Sequence, residues 1–176
     1  MTPKINSLIV LDKYQQKICE FIGKCRYNIN REKNVNDKKV GDQDNHFVDV
    51  NGFGGEFAFC KLFNLMPDFT VKVTQTNKND FDAILFNKIR VDIKTTQYST
   101  GQLLVHKDKI AEVHCYALMV GSMPEYRFKG FMLKDEIIKP ERLKAINPQK
   151  PDKISFLAKQ EELKELYEIF TIKRNS

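Results

Sequence analysis

Three charged side chains near the middle of the chain have types and a spacing that suit cation binding. Asp82 lies in one run of alternating apolar residues, and Asp92 and Lys94 lie in the next run, after a short Asn-Lys interruption. Two alternating runs joined in this way predict a β-hairpin. If the apolar residues of both runs pack on one core, the three charged side chains point to the opposite face. Two carboxylates and a lysine on one patch of sheet are costly to bury unless a cation binds there.

The apolar residues of the hairpin also predict the length of its loop. One face carries Phe81, Ala83 and Leu85 in the first run and Ile89, Val91 and Ile93 in the second. Both sets share a face only if residues opposite each other in the hairpin are both odd-numbered or both even-numbered. A two-residue loop would instead place odd-numbered residues opposite even-numbered ones. We therefore expect a three-residue loop or a β-bulge.

A further carboxylate lies on a helix that the sequence predicts over residues 50–64. Phe53, Cys60 and Phe63 form its apolar stripe, and Glu56 falls within the same stripe. A buried glutamate is rare unless it is paired. Glu56 therefore either forms an ion pair with an arginine or a lysine, or joins the hairpin acids at a cation site. The three glycines just before it are costly inside a helix. Either the helix begins at the last of them, or the missing side chains admit a strand or a phosphate.

Taken together, these residues resemble the core motif of the PD-(D/E)XK nuclease superfamily, which has the restriction-endonuclease-like fold. In that family an acid ends one strand, and Asp82 stands in its place. A second acid, any residue and a lysine follow on the next strand, and here they are Asp92, Ile93 and Lys94. A glutamate comes from a preceding helix, the position that Glu56 fits.

The resemblance covers roughly residues 50–133, about half of the chain. It departs from the family pattern at one point, because Phe81 replaces the proline that precedes the first acid. A literal Pro-Asp pair occurs at Pro67 and Asp68. No paired strand is predicted around it, so we interpret that pair as coincidental.

The resemblance implies a Mg²⁺-dependent DNA endonuclease that hydrolyses phosphodiester bonds, with Mn²⁺ as a substitute ion. Mg²⁺ prefers hard oxygen ligands and retains several waters. Glu56, Asp82, Asp92 and the main-chain carbonyl of Ile93 would form the metal-binding set, and the three acids with Lys94 the catalytic set. Because carboxylates lie so close to Lys94, its pKa should rise, and the charged ammonium would orient the attacking water rather than deprotonate it.

Small stand-alone enzymes of this superfamily, often encoded by phages or mobile elements, are the nearest type. A Holliday-junction resolvase is an alternative with the same order of acidic residues, and it would add a homodimer to the expected partners. A second alternative is a non-catalytic DNA-binding or inhibitory protein that keeps the fold. Loss of the costly acids would be expected in such a protein, so the intact set favours the enzyme.

Composition sets wider limits on function. The chain has 176 residues, enough for one domain with a substantial core, so residues 1–176 are predicted to form a single nuclease domain. Its net charge of +6 suits an anionic partner such as DNA, although the charge is spread evenly along the chain. Four scattered cysteines are expected to be buried thiols. No stretch is long and apolar enough to span a membrane, and a cytoplasmic location is expected.

The elements that must position these residues predict an α/β fold. We expect a central mixed sheet of four or five strands with helices on both sides. A helix over residues 8–33, capped by Asp12, would precede the catalytic core at about residues 50–133. Its apolar stripe would contain Leu11, Tyr14, Ile18, Phe21 and Cys25.

The later part of the chain is predicted to complete the sheet and then turn helical. A short strand is expected over residues 69–74 and an apolar strand, covered on both faces, over 117–120. Residues 134–176 would form a helical extension, with an edge strand at 154–157 and an amphipathic helix at 161–170.

Overall fold

The main feature of the fold is a mixed five-stranded sheet. The computed structural model describes residues 3–32, 45–71, 81–86, 88–146 and 153–169. The strands of this sheet lie in the order β1-β6-β5-β3-β2. They are β1 (Leu8–Val10), β2 (Ala83–Leu85), β3 (Ile89–Thr96), β5 (Cys115–Ser122) and β6 (Glu125–Leu133). Strands β3 and β5 run parallel, and the other neighbours are antiparallel. The prediction of an α/β fold with a mixed sheet of four or five strands is confirmed.

The predicted hairpin is present as β2 and β3. Leu85 pairs with Ile89, so three residues connect the strands, which is the first of the two predicted alternatives. The alternate apolar side chains of the hairpin are buried in one core: Ala83, Leu85, Ile89, Val91 and Ile93. Phe81 is an exception, since it packs against a second core on the other side of the sheet. The alternation of β2 begins only at Ala83, because the chain bends at Asp82.

Two long helices cover one face of this sheet. Helix α2 (Asn45–Phe63) packs against β3 and β5, and α1 (Lys13–Glu32) packs against α2. Their shared core includes five phenylalanines in edge-to-face or tilted contact: Phe53, Phe57, Phe59, Phe128 and Phe131. Glu56 is therefore presented from the helix that lies directly over the hairpin.

The glycines before Glu56 lie inside α2, so the alternative that the helix begins at Gly55 is wrong. They let the helix approach two strands closely. A Cβ atom on Gly55 would stand 2.0 Å from Thr95 Oγ1, and one on Gly54 would stand 2.2 Å from Tyr126 Oη. The missing side chains thus admit strands β3 and β6.

The start of the chain differs from the prediction of one helix over residues 8–33. Leu8 to Val10 form β1, which pairs with β6, and the helix begins at Lys13. Asp12 is the N-cap as predicted, since Asp12 Oδ1 accepts hydrogen bonds from the N–H groups of Tyr14 (2.8 Å) and Gln15 (2.9 Å).

The buried stripe of α1 also differs from the prediction. Cys19 and Ile22 are buried, whereas Tyr14 is 79% exposed and Phe21 is 66% exposed. Residues 14, 18 and 21 share one helix face and residues 19 and 22 share another, and apolar periodicity alone could not decide which face packs on α2.

The second face of the main sheet is covered mainly by another sheet, so the prediction of helices on both sides is wrong. Strands β4 (Leu103–His106), β8 (Ile154–Ala158) and β7 (Leu143–Ala145) form it, in that order. A four-residue helix, α3 (Lys134–Ile137), contributes Ile137 to the core between the sheets. Strand β5 is buried on both faces, as predicted.

In the described part of the predicted helical extension over residues 134–176, strands β7 and β8 stand between short helical segments, so this part is not purely helical. The strand predicted at 154–157 is central in the small sheet rather than at its edge. The helix predicted over 161–170 is short in the described region, where residues 166–169 are helical and Lys164 bridges to Phe131. No strand forms at residues 69–71, and the rest of the strand predicted over 69–74 lies outside the described residues.

Two further expectations concern the state of the cysteines and the presence of a membrane-spanning segment. All four cysteines are free thiols; three are buried and Cys25 is partly buried. Within the described ranges, no helix has the length and apolar character needed to cross a bilayer.

Candidate active site

Asp82 is fixed across the hairpin to strand β3. Its Oδ2 accepts a hydrogen bond of 2.6 Å from the N–H of Ile93, and its own N–H donates to the carbonyl oxygen of Val91 at 2.9 Å. Ile93 lies between Asp92 and Lys94 in sequence. The structure thus brings the first predicted acid to the predicted Asp-x-Lys segment.

Asp92 and Lys94 lie two residues apart on β3 and therefore share one face of the strand. Lys94 Nζ is 2.6 Å from Asp92 Oδ1. The Asp92 side chain is only 11% exposed, and the Lys94 side chain is 34% exposed. The lysine thus neutralises a nearly buried carboxylate while part of its own side chain remains open to solvent.

Glu56 forms an ion pair with Arg26, a residue that the sequence did not indicate as part of the site. Arg26 Nη1 donates to both oxygens of the Glu56 carboxylate, at 2.8 and 3.1 Å. Arg26 Nη2 donates to the carbonyl oxygen of Asp68 at 3.2 Å, and the guanidinium carbon lies 4.6 Å from the centre of the Phe53 ring. The ion pair left open as one explanation of Glu56 is therefore present. It is compatible with a second contact to a cation, because each carboxylate oxygen has two lone pairs.

The charges of these residues act on one another. Burial raises the pKa of Asp82 well above its usual value, and the negative charges of Glu56 and Asp92 raise it further. Burial also raises the pKa of Glu56, against the lowering effect of Arg26. Asp92 and Lys94 act on Glu56 as well, which places the helix carboxylate within electrostatic range of the hairpin. The four predicted residues therefore form one electrostatic unit.

Lys94 has a raised pKa, in the direction that the sequence predicts. Burial alone lowers the pKa of this ammonium, but the charges of Asp92 and Asp82 raise it by more. The lysine therefore stays protonated at neutral pH and is a poor general base.

The oxygen atoms of Asp82 and Asp92 are suited to a hard divalent cation. Each carboxylate uses one oxygen for the contact described above, and no described residue donates a hydrogen bond to the other oxygen. Three carboxylates with Lys94 and Arg26 leave an excess of one negative charge, which a cation would offset. Among the described residues, however, no three or more His, Cys, Asp and Glu side chains form a group that could hold a metal ion. Glu56 is turned to Arg26 in this arrangement.

Two residues of this site were missed in the sequence. Arg26 lies four residues after Ile22 and seven after Cys19, so it shares the helix face of these two buried residues. A charged residue on a buried face indicates that a partner of opposite charge lies nearby. Tyr116 lies beside Asp92, because β3 and β5 pair at these two residues. Burial and the charge of Asp92 raise the pKa of Tyr116 to about 12, so its hydroxyl stays protonated. No local pattern signals Tyr116, since it depends on the parallel pairing of two distant strands.

Comparison with known proteins gives one match. A search of the curated proteins finds no similar protein, and a search of the solved structures finds no match either. The model of a family of unknown function, DUF5843, matches residues 2–123, more than two thirds of the chain. The matched range contains all four of the residues predicted to form the catalytic set. The chain belongs to the DUF5843 family.

Proposed function

We propose that the protein is a Mg²⁺-dependent DNA endonuclease that hydrolyses phosphodiester bonds, and that its α/β fold is a restriction-endonuclease-like one. The observation that carries the proposal is the hydrogen bond between the Asp82 carboxylate and the N–H of Ile93. It brings Asp82, at the start of the hairpin, to the Asp92-Ile93-Lys94 segment of β3, where the two acids and the lysine lie within electrostatic range of one another.

Asp82 and Asp92 would hold the cation, together with the main-chain carbonyl of Ile93. Glu56 would contribute its carboxylate directly or through a water. Bound Mg²⁺ supplies Lewis-acid activation of the phosphate and of a water. The chain's own contribution is a pair of carboxylates positioned by the hairpin, with Asp92 nearly buried, which fixes where a phosphate can approach.

Lys94 would act as a permanent positive charge. Its ammonium is anchored by Asp92 at 2.6 Å, yet the side chain is 34% exposed and can reach a bound substrate. Its N–H groups would orient the attacking water and stabilise the negative charge that grows on the phosphate oxygens in the transition state. The raised pKa of Lys94 supports this role and argues against proton abstraction by Lys94.

A basic surface cavity supports a polyanionic partner. The cavity has a volume of about 350 Å³, and its lining includes Lys139, Arg142, Lys144 and Lys159 against two glutamates. Gln160 follows Lys159, which lines the cavity, and it donates hydrogen bonds to two main-chain carbonyls of the loop after β3. With the net charge of +6, this region would give DNA phosphates a second point of contact.

A non-catalytic DNA-binding protein is the second candidate, and one observation favours it. Glu56 already has a charged partner in Arg26, and the described residues contain no three-membered metal-binding group. In that case the site would be a structural network of charges, and DNA would bind without being cleaved.

A cleavage assay decides between the two candidates. The purified protein is incubated with supercoiled, linear, single-stranded and four-way-junction DNA, in Mg²⁺, in Mn²⁺ or in EDTA. We expect cleavage with either metal ion and none in EDTA, and selective cutting of the four-way junction would identify a resolvase. DNA binding without cleavage in any condition would favour the non-catalytic protein.

Two alanine variants connect the activity to the site. Asp82→Ala should lose cleavage by orders of magnitude, because it deletes a proposed metal ligand. Asp68→Ala is the matched control and should keep activity within a few-fold. The Asp68 carboxylate caps a local turn by accepting the N–H of Thr70 at 2.9 Å. An inactive Asp68→Ala with an active Asp82→Ala would contradict the assignment.

A further inference from the structure

Arg26 holds Glu56 from one side with a single nitrogen. Nη1 lies 2.8 Å from one carboxylate oxygen and 3.1 Å from the other, so both oxygens face the arginine. We propose that Arg26 is an internal counter-cation, which occupies Glu56 while no divalent cation is bound and competes with that cation for Glu56. This inference rests on the proposed metal-dependent function.

The arginine is built into this position by contacts on two further sides. Its second terminal nitrogen donates to the main-chain oxygen of Asp68, and its guanidinium group lies over the Phe53 ring. Neither contact uses the Glu56 carboxylate, so both could be retained when Glu56 changes partner. Arg26 therefore does not need to leave the site when a cation binds; it needs only to share or release Glu56.

Charge and burial make this competition strong. The side chains of Arg26 and Glu56 are 24% and 17% exposed, so their charges are only partly screened by water. A carboxylate in that environment needs a positive partner. Lys94 already pairs with Asp92, which leaves Arg26 as the nearest described cation to Glu56. A divalent cation at Asp82 and Asp92 would approach Arg26 as a like charge.

The absence of a three-membered metal-binding group among the described residues agrees with this interpretation. Glu56 faces Arg26, while Asp82 and Asp92 make their contacts at the hairpin. Competition for Glu56 would make the affinity for Mg²⁺ lower than three converging carboxylates would otherwise give.

The test measures Mg²⁺ binding rather than cleavage. Mg²⁺ is titrated by calorimetry into the wild type and into Arg26→Met, which keeps an unbranched stem without the charge. We expect Arg26→Met to bind Mg²⁺ at least roughly 3- to 10-fold more tightly, because removing one like charge at about 7 Å gives that factor even in a water-like dielectric and a larger one in a partly buried site. Its melting temperature should be lower than that of the wild type without Mg²⁺, and Mg²⁺ should raise it by more degrees.

Two further variants separate charge from structure. Arg26→Lys keeps the positive charge and should bind Mg²⁺ within about 2-fold of the wild type. In an Arg26→Met/Glu56→Gln cycle, the gain in affinity should disappear, because Glu56 is the group for which the two cations compete. If Arg26→Met does not fold, Arg26→Gln keeps an N–H donor for Glu56 and is titrated in its place.

Three results would overturn the proposal. Weaker Mg²⁺ binding by Arg26→Met would show that Arg26 positions Glu56 for the cation rather than competing with it. An equal loss of melting temperature with and without Mg²⁺, at unchanged affinity, would show a purely structural ion pair. A wild type that neither binds Mg²⁺ nor cleaves DNA would refute the proposed function itself, and this outcome differs from the other two because the wild type binds Mg²⁺ in both of them.

Discussion

Replacing Asp82 by asparagine should stabilise the protein when no metal ion is present. Asparagine is almost the same size as aspartate, and its side-chain oxygen can still accept the hydrogen bond from the N–H of Ile93. The substitution therefore removes a charge and leaves the contact geometry of the hairpin in place. Asp82 is a suitable target because burial, Glu56 and Asp92 all raise its pKa above the ordinary value of 3.8.

The expected gain follows from the charges around Asp82. Like charges about 6 Å apart, the spacing of neighbouring side chains on paired strands, repel by about 3 kcal/mol at an effective dielectric constant of about 20. The attraction between Asp82 and the ammonium of Lys94 offsets part of this repulsion, since Lys94 lies in the same cluster. A net gain of about 1–2 kcal/mol remains, and it corresponds to a rise of about 2–8 °C in melting temperature for a chain of this length.

The assay is thermal or urea unfolding in EDTA over a range of pH. The folded state of the wild type holds the Asp82 proton more tightly than the unfolded state does, so the contribution of Asp82 to stability falls as pH rises from about 4 through its raised pKa. The asparagine side chain has no such proton to lose. The variant and the wild type should therefore differ little below about pH 4, and the advantage of the variant should grow with pH until Asp82 of the wild type is fully ionised.

Asp135→Asn is the control for a general effect of charge. Asp135 is exposed at the start of α3 and lies outside the candidate site, so its replacement should change stability by less than about 0.5 kcal/mol. A loss of more than about 1 kcal/mol in Asp82→Asn at neutral pH would refute the reasoning. Asp82 would then belong to a favourable ion-pair network rather than to a site with excess negative charge.

Three other substitutions test the helices of the main core. Gly55→Ala should destabilise the protein by a few kcal/mol in chemical unfolding, because its Cβ would meet Thr95 Oγ1 at 2.0 Å. Gly52→Ala, on the same helix with open space around it, should instead stabilise by about 0.5–1 kcal/mol, and equal effects at both positions would contradict the close approach of α2 to β3. Asp12→Ala should cost about 1 kcal/mol in the same measurement, because two N–H groups of α1 lose their acceptor, whereas no loss would show that the cap is dispensable.

The hairpin shows how much of the fold could be predicted from the sequence. Alternating residues indicate which side of a strand is buried. The odd and even numbering of these residues required a three-residue loop or a β-bulge, and three residues connect Leu85 and Ile89. Asp92 and Lys94 were correctly placed together for the same reason. These are local relations, and local relations are visible in a sequence.

The parts that were wrong or missed depend on packing between distant segments. The exposed face of α1 is as apolar as the buried one, so the sequence could not show that Cys19 and Ile22 face α2. The small sheet joins β4 to strands about fifty residues later, and no local pattern distinguishes such a layer from helices. The pairing of Arg26 with Glu56 likewise connects two helices across thirty positions.

The pairing of β1 with β6 has a consequence for the order of folding. Leu8 is opposite Arg127, so the first strand of the chain cannot find its place in the sheet until the segment from Glu125 onward has been synthesised. Until then Ile9, the buried residue of β1, lacks its neighbours in the sheet. The chain between β1 and β6 is a long loop, and closing a long loop is slow. Local elements such as the β2–β3 hairpin and the two long helices are expected to form first. The edge beside β6 would therefore be the last part of the main sheet to form.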